Sequence, residues 1–185
     1  MAGRLCSGAY LLIETWRGGN AGAGRLLANG CLFSADISAV VNQADATLRI
    51  GLHSGGVWVA ERLHQLLALK DPLGHLDISF YRDDFSRIGM NPQVKPSALP
   101  FSIENRHLIL VDDVLHTGRT IRAAMNELFE YGRPASIWLA VLVERDGREL
   151  PISADVAALN IKLAEGEQIK LNGPEPLSLI IFEAN

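Results

Sequence analysis

The sequence predicts an α/β domain: a mainly parallel sheet flanked by helices, with a small β-rich portion at the C-terminal end. Three observations predict it. Short apolar runs alternate with stretches of helical period. From residue 47 the order is strand, helix, strand, strand, helix, strand, and residues 145–185 then break into shorter strands and turns. The bulk numbers agree, since 185 residues with 48% hydrophobic and 21% charged side chains suit one globular domain and exclude disorder throughout.

Each element has its own signal. Residues 1–46 form an N-terminal segment without assigned fold or chemistry, in which GGNAGAG (18–24) reads as a flexible joint and ADISAVVNQADATL (35–48) as a helix. The domain proper is 47–185. TLRIGL (47–52) predicts a strand, broken by HSGG (53–56). Val59, Leu63, Leu66 and Leu67 share the helical spacing of 57–69, and Asp71, Pro72 and Gly74 stop that helix. LDISFYR (76–82) alternates apolar and polar residues as a half-buried strand does. Residues 83–106 hold three prolines and no period, the composition of a lid or binding loop. HLILVD (107–112) is the next strand. Ile121, Ala124, Met125, Leu128 and Phe129 mark one face of a helix that starts at or just before Thr120, runs to Tyr131 and is ended by Gly132 and Pro134. SIWLAVLVE (136–144) is apolar enough for a central strand, and LSLIIFE (177–183) closes the tail.

Several function classes are disfavoured. A net charge of −4 gives no blanket attraction to nucleic acid or anionic membrane, although a local basic patch stays open. Cys6 and Cys31 form no CxxC or Cys/His cluster, so no zinc site or disulfide framework is suggested, and reduced thiols in a cytoplasmic protein are the simplest reading. The longest apolar runs, such as LAVLV (139–143), are too short to span a bilayer. The AYLLI patch, bounded by Gly8 and Glu14, fits a signal peptide poorly.

The chemistry concentrates in LILVDDVLHTGRT (108–120). Ligands of open α/β sheets sit outside the carboxyl ends of the strands, where Asp112 and Asp113 fall. Two close carboxylates raise each other's pKa unless a cation or donors offset the repulsion, and a polyhydroxyl ligand with a bound metal supplies both. Thr117, Gly118, Arg119 and Thr120 then meet a helix start and can aim backbone N–H groups, hydroxyls and a guanidinium at a phosphate. Together these suit a ribose 5-phosphate. The plain alternative is a solvated acidic turn followed by a helix cap. A receiver-type acidic site is a weaker rival: the 72 residues after Asp113 are too few for several further crossovers plus the tail, and TGRT would go unexplained.

LILVDDVLHTGRTIRAAM resembles the phosphoribosyl-pyrophosphate motif of type I phosphoribosyltransferases. LDISFYRDDFS, YGRPASIWLAVLVERDGRELPISAD and their spacing resemble, more narrowly, the pyrimidine operon regulator/uracil phosphoribosyltransferase family, over about residues 48–160. The resemblance implies transfer of a phosphoribosyl group to uracil, giving UMP and pyrophosphate, with Mg2+ held through the substrate rather than by protein ligands. It also implies regulation of pyrimidine operon mRNA, with a non-catalytic nucleotide-sensing RNA regulator as the alternative, and a homo-oligomer of two or more copies. Position by position, Asp112 and Asp113 would hold the ribose hydroxyls and Thr117 to Thr120 the 5-phosphate. His53, Ser54, Gly55 and Gly56 would form the pyrophosphate loop, Arg82 the closing catalytic loop, and Val143, Glu144 and Arg145 the base site. The family loop often reads G-I-R-T-R-G, whereas this chain has Gly51-Leu52-His53-Ser54-Gly55-Gly56, without the two arginines suited to pyrophosphate. His64 and His75 read as surface or helix-end residues, His116 as a flank of the motif, and Trp58 and Trp138 as core.

Overall fold

The computed structural model describes residues 14–17, 47–52, 54–78 and 97–183. Five parallel strands form the main sheet: β2 (Thr47–Leu52), β3 (Leu73–Leu76), β4 (His107–Leu115), β5 (Ser136–Arg145) and β6 (Val156–Ile161), in the order β3-β2-β4-β5-β6. Helix α1 (Gly55–Leu66) connects β2 to β3, and α2 (Arg119–Tyr131) connects β4 to β5. A second sheet, β1-β8-β7, pairs β7 (Glu167–Asn172) antiparallel with β8 (Ser178–Glu183), and β8 parallel with β1 (Glu14–Arg17). A short stretch of the segment that the sequence left unassigned is thus built into the C-terminal sheet. The joint at 18–24, the helix expected from residue 35 and residues 79–96 lie outside the described residues.

Strand order fixes where the helices go. The step from β2 to β3 and the step from β4 to β5 run in opposite directions across the sheet. Right-handed crossovers in opposite directions place their helices on opposite faces. The core divides accordingly. On one face Val59, Ala60 and Leu63 of α1 meet Ile109, Val111, Ala140 and Leu142, together with Leu171, Leu177 and Leu179 from the smaller sheet. On the other, Ile121, Ala124 and Leu128 of α2 meet Leu108, Leu110, Leu139 and Val141. Successive residues of β4 and β5 feed alternate faces, which is why these strands read as continuous apolar runs rather than as alternations. Full burial of each such Leu or Ile is worth about 1.5–3 kcal/mol.

The helix expected at 57–69 begins two residues earlier and ends at Leu66. A strand begins before the one expected at 76–82, of which 79–82 lie outside the described residues: LGHL (73–76) pairs with Arg49–Leu52, and the Cα of Gly74 packs under Leu99 and Phe101, where any Cβ would lie 2.9 Å from each. Strand β4 continues to Leu115, so the two acids stand within a strand rather than past its end. Pairing with β2 stops at Gly51–Val111, whereas pairing with β5 runs on through Leu115–Glu144. The described end of the irregular segment is anchored. His75 and Ala98 exchange backbone hydrogen bonds of 2.9 and 2.8 Å, and the Ser97 hydroxyl accepts from the Asp77 N–H and donates to Glu127.

Arg49, in β2, is 4% exposed and reaches Asp71 at 3.3 Å, while the Asp71 side chain is 63% exposed. Burial holds the Arg49 pKa below its ordinary value, opposed by Asp71. Removing one partner of a desolvated ion strands the other, whereas an apolar replacement of the ion itself is tolerated. Asp71→Ala is therefore expected to lower stability by about 1–2 kcal/mol in urea unfolding, and Arg49→Met to change it by less than about 1 kcal/mol.

Candidate active site

Between β2 and β4 the chain's crossovers diverge, and ligands of open α/β sheets bind in the crevice that such a switch point leaves at the carboxyl ends of the strands. A cleft of about 740 Å³ lies there. Its floor is the end of β4. Beyond Val111 that strand has lost its β2 neighbour, and the first turn of α1 takes the vacated place. The fit depends on the absence of side chains. A Cβ on Gly56 would stand 2.5 Å from the Val111 carbonyl oxygen and 2.9 Å from the Asp112 Cα. A Cβ on Gly55 would overlap the Asp113 carboxylate.

The two acids differ in setting. Asp112 is 2% exposed, and its Oδ1 accepts the Asp113 N–H at 2.9 Å. Asp113 is half-buried against Gly55. Both line the cleft.

Two helix N-termini open into the same space. Neither Ser54, at the start of α1, nor Gly118, at the start of α2, makes a side-chain cap, and neither helix has an acid in its first turn. The first N–H groups of α1, those of α2 after Arg119, and the positive ends of both dipoles face the cleft and suit an anion. Gly118 has φ +92°, a left-handed turn that glycine adopts without strain. The Thr117 carbonyl accepts the N–H groups of Glu149 and Leu150 at 3.1 and 3.0 Å, which ties the turn to the loop after β5. The Thr117 hydroxyl accepts the Arg119 N–H at 3.2 Å. The Arg119 guanidinium meets Glu149 through both Nε and Nη2 at 2.7 Å, with both side chains about half exposed.

Asp112, Asp113, Thr117, Gly118, Arg119, Thr120, Ser54 and Gly55 are thus brought to one cleft. Gly56 lies beneath it, against β4. His53 and Arg82 fall outside the described residues. Val143, Glu144 and Arg145 are not among the residues that line this cleft: Val143 is fully buried, and Glu144 binds Arg148 at 2.6 Å. The sequence offered no sign of the opposite wall, formed by Gln168, Ile169, Lys170 and Leu171 of β7 with Phe182 of β8. EQIKLN is an ordinary alternating strand, and only the docking of the smaller sheet turns its edge to the cleft. Trp58 packs against the core, as expected, and also lines the cleft. Trp138 stacks on His107 with ring centroids 6.1 Å apart.

His116 borders the cleft, and its backbone carbonyl accepts from Arg148. Partial desolvation, followed by the charge of Arg145, holds its pKa below the ordinary 6.5, while Glu149 opposes the shift. At neutral pH the ring adds no positive charge to the cleft. Below pH 6.5 the folded chain binds this proton less readily than the unfolded chain, so the stability contributed by the neutral ring is lost as pH falls through that region. An NMR titration of the ring is expected to give a midpoint below 6.5, and Glu149→Gln to lower it further.

The chain matches the phosphoribosyl transferase domain over residues 37–170. It is 66% identical over 134 residues to the bifunctional protein PyrR of Nitrosococcus oceani, covering 71% of this chain and 76% of that one. Identity to the bifunctional protein PyrR of Pseudomonas paraeruginosa is 59% over 130 residues, covering 70% and 76%. Among solved structures, the hypoxanthine phosphoribosyltransferase of Trypanosoma cruzi superposes with a TM-score of 0.60 at 20% identity, covering 83% of this chain and 89% of that one. That last likeness is one of fold.

Proposed function

Because the chain belongs to the phosphoribosyl transferase domain family, and within it to the bifunctional PyrR proteins, we propose that its cleft transfers the phosphoribosyl group of phosphoribosyl pyrophosphate to uracil. The products are UMP and pyrophosphate, and we propose that the same protein regulates pyrimidine biosynthesis by binding operon mRNA. One observation carries the transferase reading: an acidic pair and the N-termini of two helices line a single cleft. A sugar bearing a phosphoryl group at each end matches that order of charges. Ribose hydroxyls lie on Asp112 and Asp113, the 5-phosphate on the turn Thr117–Thr120, and the pyrophosphate on the first turn of α1.

In the reaction, N1 of uracil gives up its proton to solvent and bonds to C1 of the ribose as the bond from C1 to the pyrophosphate oxygen breaks. The leaving oxygen keeps the electron pair, and the ring gains positive charge. Asp112 and Asp113 hold the hydroxyls and place negative charge beside that ring. The buried Asp112, fixed by its bond to the Asp113 N–H, needs little reorganisation as charge develops. The exposed Arg119–Glu149 pair is worth at most about 1 kcal/mol, so a phosphate can draw Arg119 away from it.

Magnesium fits the donor set only as a shared ion. No group of three or more His, Cys, Asp or Glu side chains able to hold a metal is present among the described residues, and Asp112 and Asp113 are the carboxylates that line the cleft. The ion would rest mainly on ligand oxygens beside these two acids, and when bound it would neutralise the departing pyrophosphate.

No described helix is long and apolar enough to cross a membrane. We propose a cytoplasmic protein that assembles as a dimer or larger.

A radiolabelled uracil assay with phosphoribosyl pyrophosphate and magnesium is expected to yield UMP. Product from another base alone would overturn the substrate, and no product with any base would favour the non-catalytic regulator. Asp112→Asn is expected to lower kcat/KM by roughly 10²–10³, the scale of losing one preorganised electrostatic contact. For the regulatory role, gel shifts with pyrimidine operon leader RNA should show binding that weakens steeply between low and physiological salt, as phosphate contacts require. Absence of a shift at low salt would remove that role.

A further inference from the structure

Among the described residues, the cleft is short of positive charge for the ligand proposed above. It contains two carboxylates, yet the helix turn assigned to pyrophosphate, residues 53–56, has no arginine or lysine. Arg119 stands at the other end, beside the turn assigned to the 5-phosphate, and is paired with Glu149. Of the side chains lining the cleft, the remaining lysine or arginine is Lys170 of β7. Lys170 is exposed, and it makes no side-chain hydrogen bond or ion pair with any described residue.

Packing brings the end of β7 against α1, the helix whose first turn is assigned to pyrophosphate. Among the described residues, strand β7 is an edge of its sheet and pairs with β8 alone. The turn after it presses on α1: a Cβ on Gly173 would stand 2.7 Å from a ring carbon of Trp58, in the first turns of that helix. Lys170 lies three residues before Gly173, roughly 10 Å along an extended strand. It therefore lines the same cleft as Ser54, Gly55 and Trp58, on a strand whose following turn is in contact with α1.

We infer that Lys170 binds the pyrophosphate group of the phosphoribosyl donor, supplying from the smaller sheet the cation that the turn at residues 53–56 lacks. The inference rests on the donor binding in this cleft. A lysine suits the task, since its ammonium is a compact point charge on a long stem and neutralises a polyphosphate without fixed fork geometry. Binding of the donor would also tie the smaller sheet to the main domain through its own charge.

The test is calorimetric binding to the full chain, with magnesium, of phosphoribosyl pyrophosphate and of UMP, which has the 5-phosphate and ribose but no pyrophosphate. Lys170→Met keeps the apolar stem and is expected to weaken donor binding roughly tenfold, the effect of about 1.4 kcal/mol. UMP binding should stay within twofold, which also shows that the variant is folded. Lys170→Arg should recover most of the loss, and added salt should narrow the gap between wild type and Lys170→Met. Unchanged donor binding in Lys170→Met, or an equal loss for donor and UMP, would overturn the role of Lys170 while leaving the cleft's function standing. A wild-type chain that binds neither compound would overturn both.

Discussion

The first turn of α1 lies on the end of β4 with no side chain between them, and the geometry of the cleft follows from that contact. Gly55 and Gly56 bring helix backbone against Val111, Asp112 and Asp113 at distances that a single methyl group would abolish. The contact does two things at once. It fills the place beside β4 that β2 vacates after Gly51, and it sets the open N–H groups of α1 next to a buried carboxylate. A positive helix end and a negative strand end are thereby held side by side by close packing, not by a salt bridge.

The second helix completes the pattern for a topological reason. Crossovers leaving β2 and β4 in opposite directions must cover opposite faces of the sheet, but both helices start at the same edge of it. Two helix N-termini therefore face one crevice. The tie from the Thr117 carbonyl to the backbone of Glu149 and Leu150 holds the second terminus in position, and Gly118 supplies the left-handed residue that turns strand into helix there. The smaller sheet adds a roof, docked through Leu171, Leu177 and Leu179 onto the α1 face of the core. Burial of these side chains is what brings β7 to the cleft.

Much of this could be read from residues alone, and the reason is local chemistry. LILVDD announces a strand buried on both faces and carrying a pair of acids, and TGRT before an amphipathic stripe announces a glycine turn into a helix. Strand β2 and helix α2 fall where their patterns placed them, within a residue. The early start of β3 has an equally local cause. Gly74 reads as a helix stop, but here it serves close packing beneath Leu99 and Phe101. Val143, Glu144 and Arg145 are assigned to the base site by resemblance alone, and no pattern in these residues says whether they face the cleft.

By itself, then, the sequence determined the α/β order, the acidic pair, the phosphate-type turn and the family, because each is written in neighbouring residues whose spacing the backbone preserves. Tertiary structure decided that the β2–α1 turn and the β4–α2 turn face one another, that Asp112 is buried while Asp113 is half open, and that Lys170 stands at the cleft. Those facts depend on which strands are neighbours and on how two sheets share a core. They are set by burial and close packing between segments more than fifty residues apart, for which no local pattern exists.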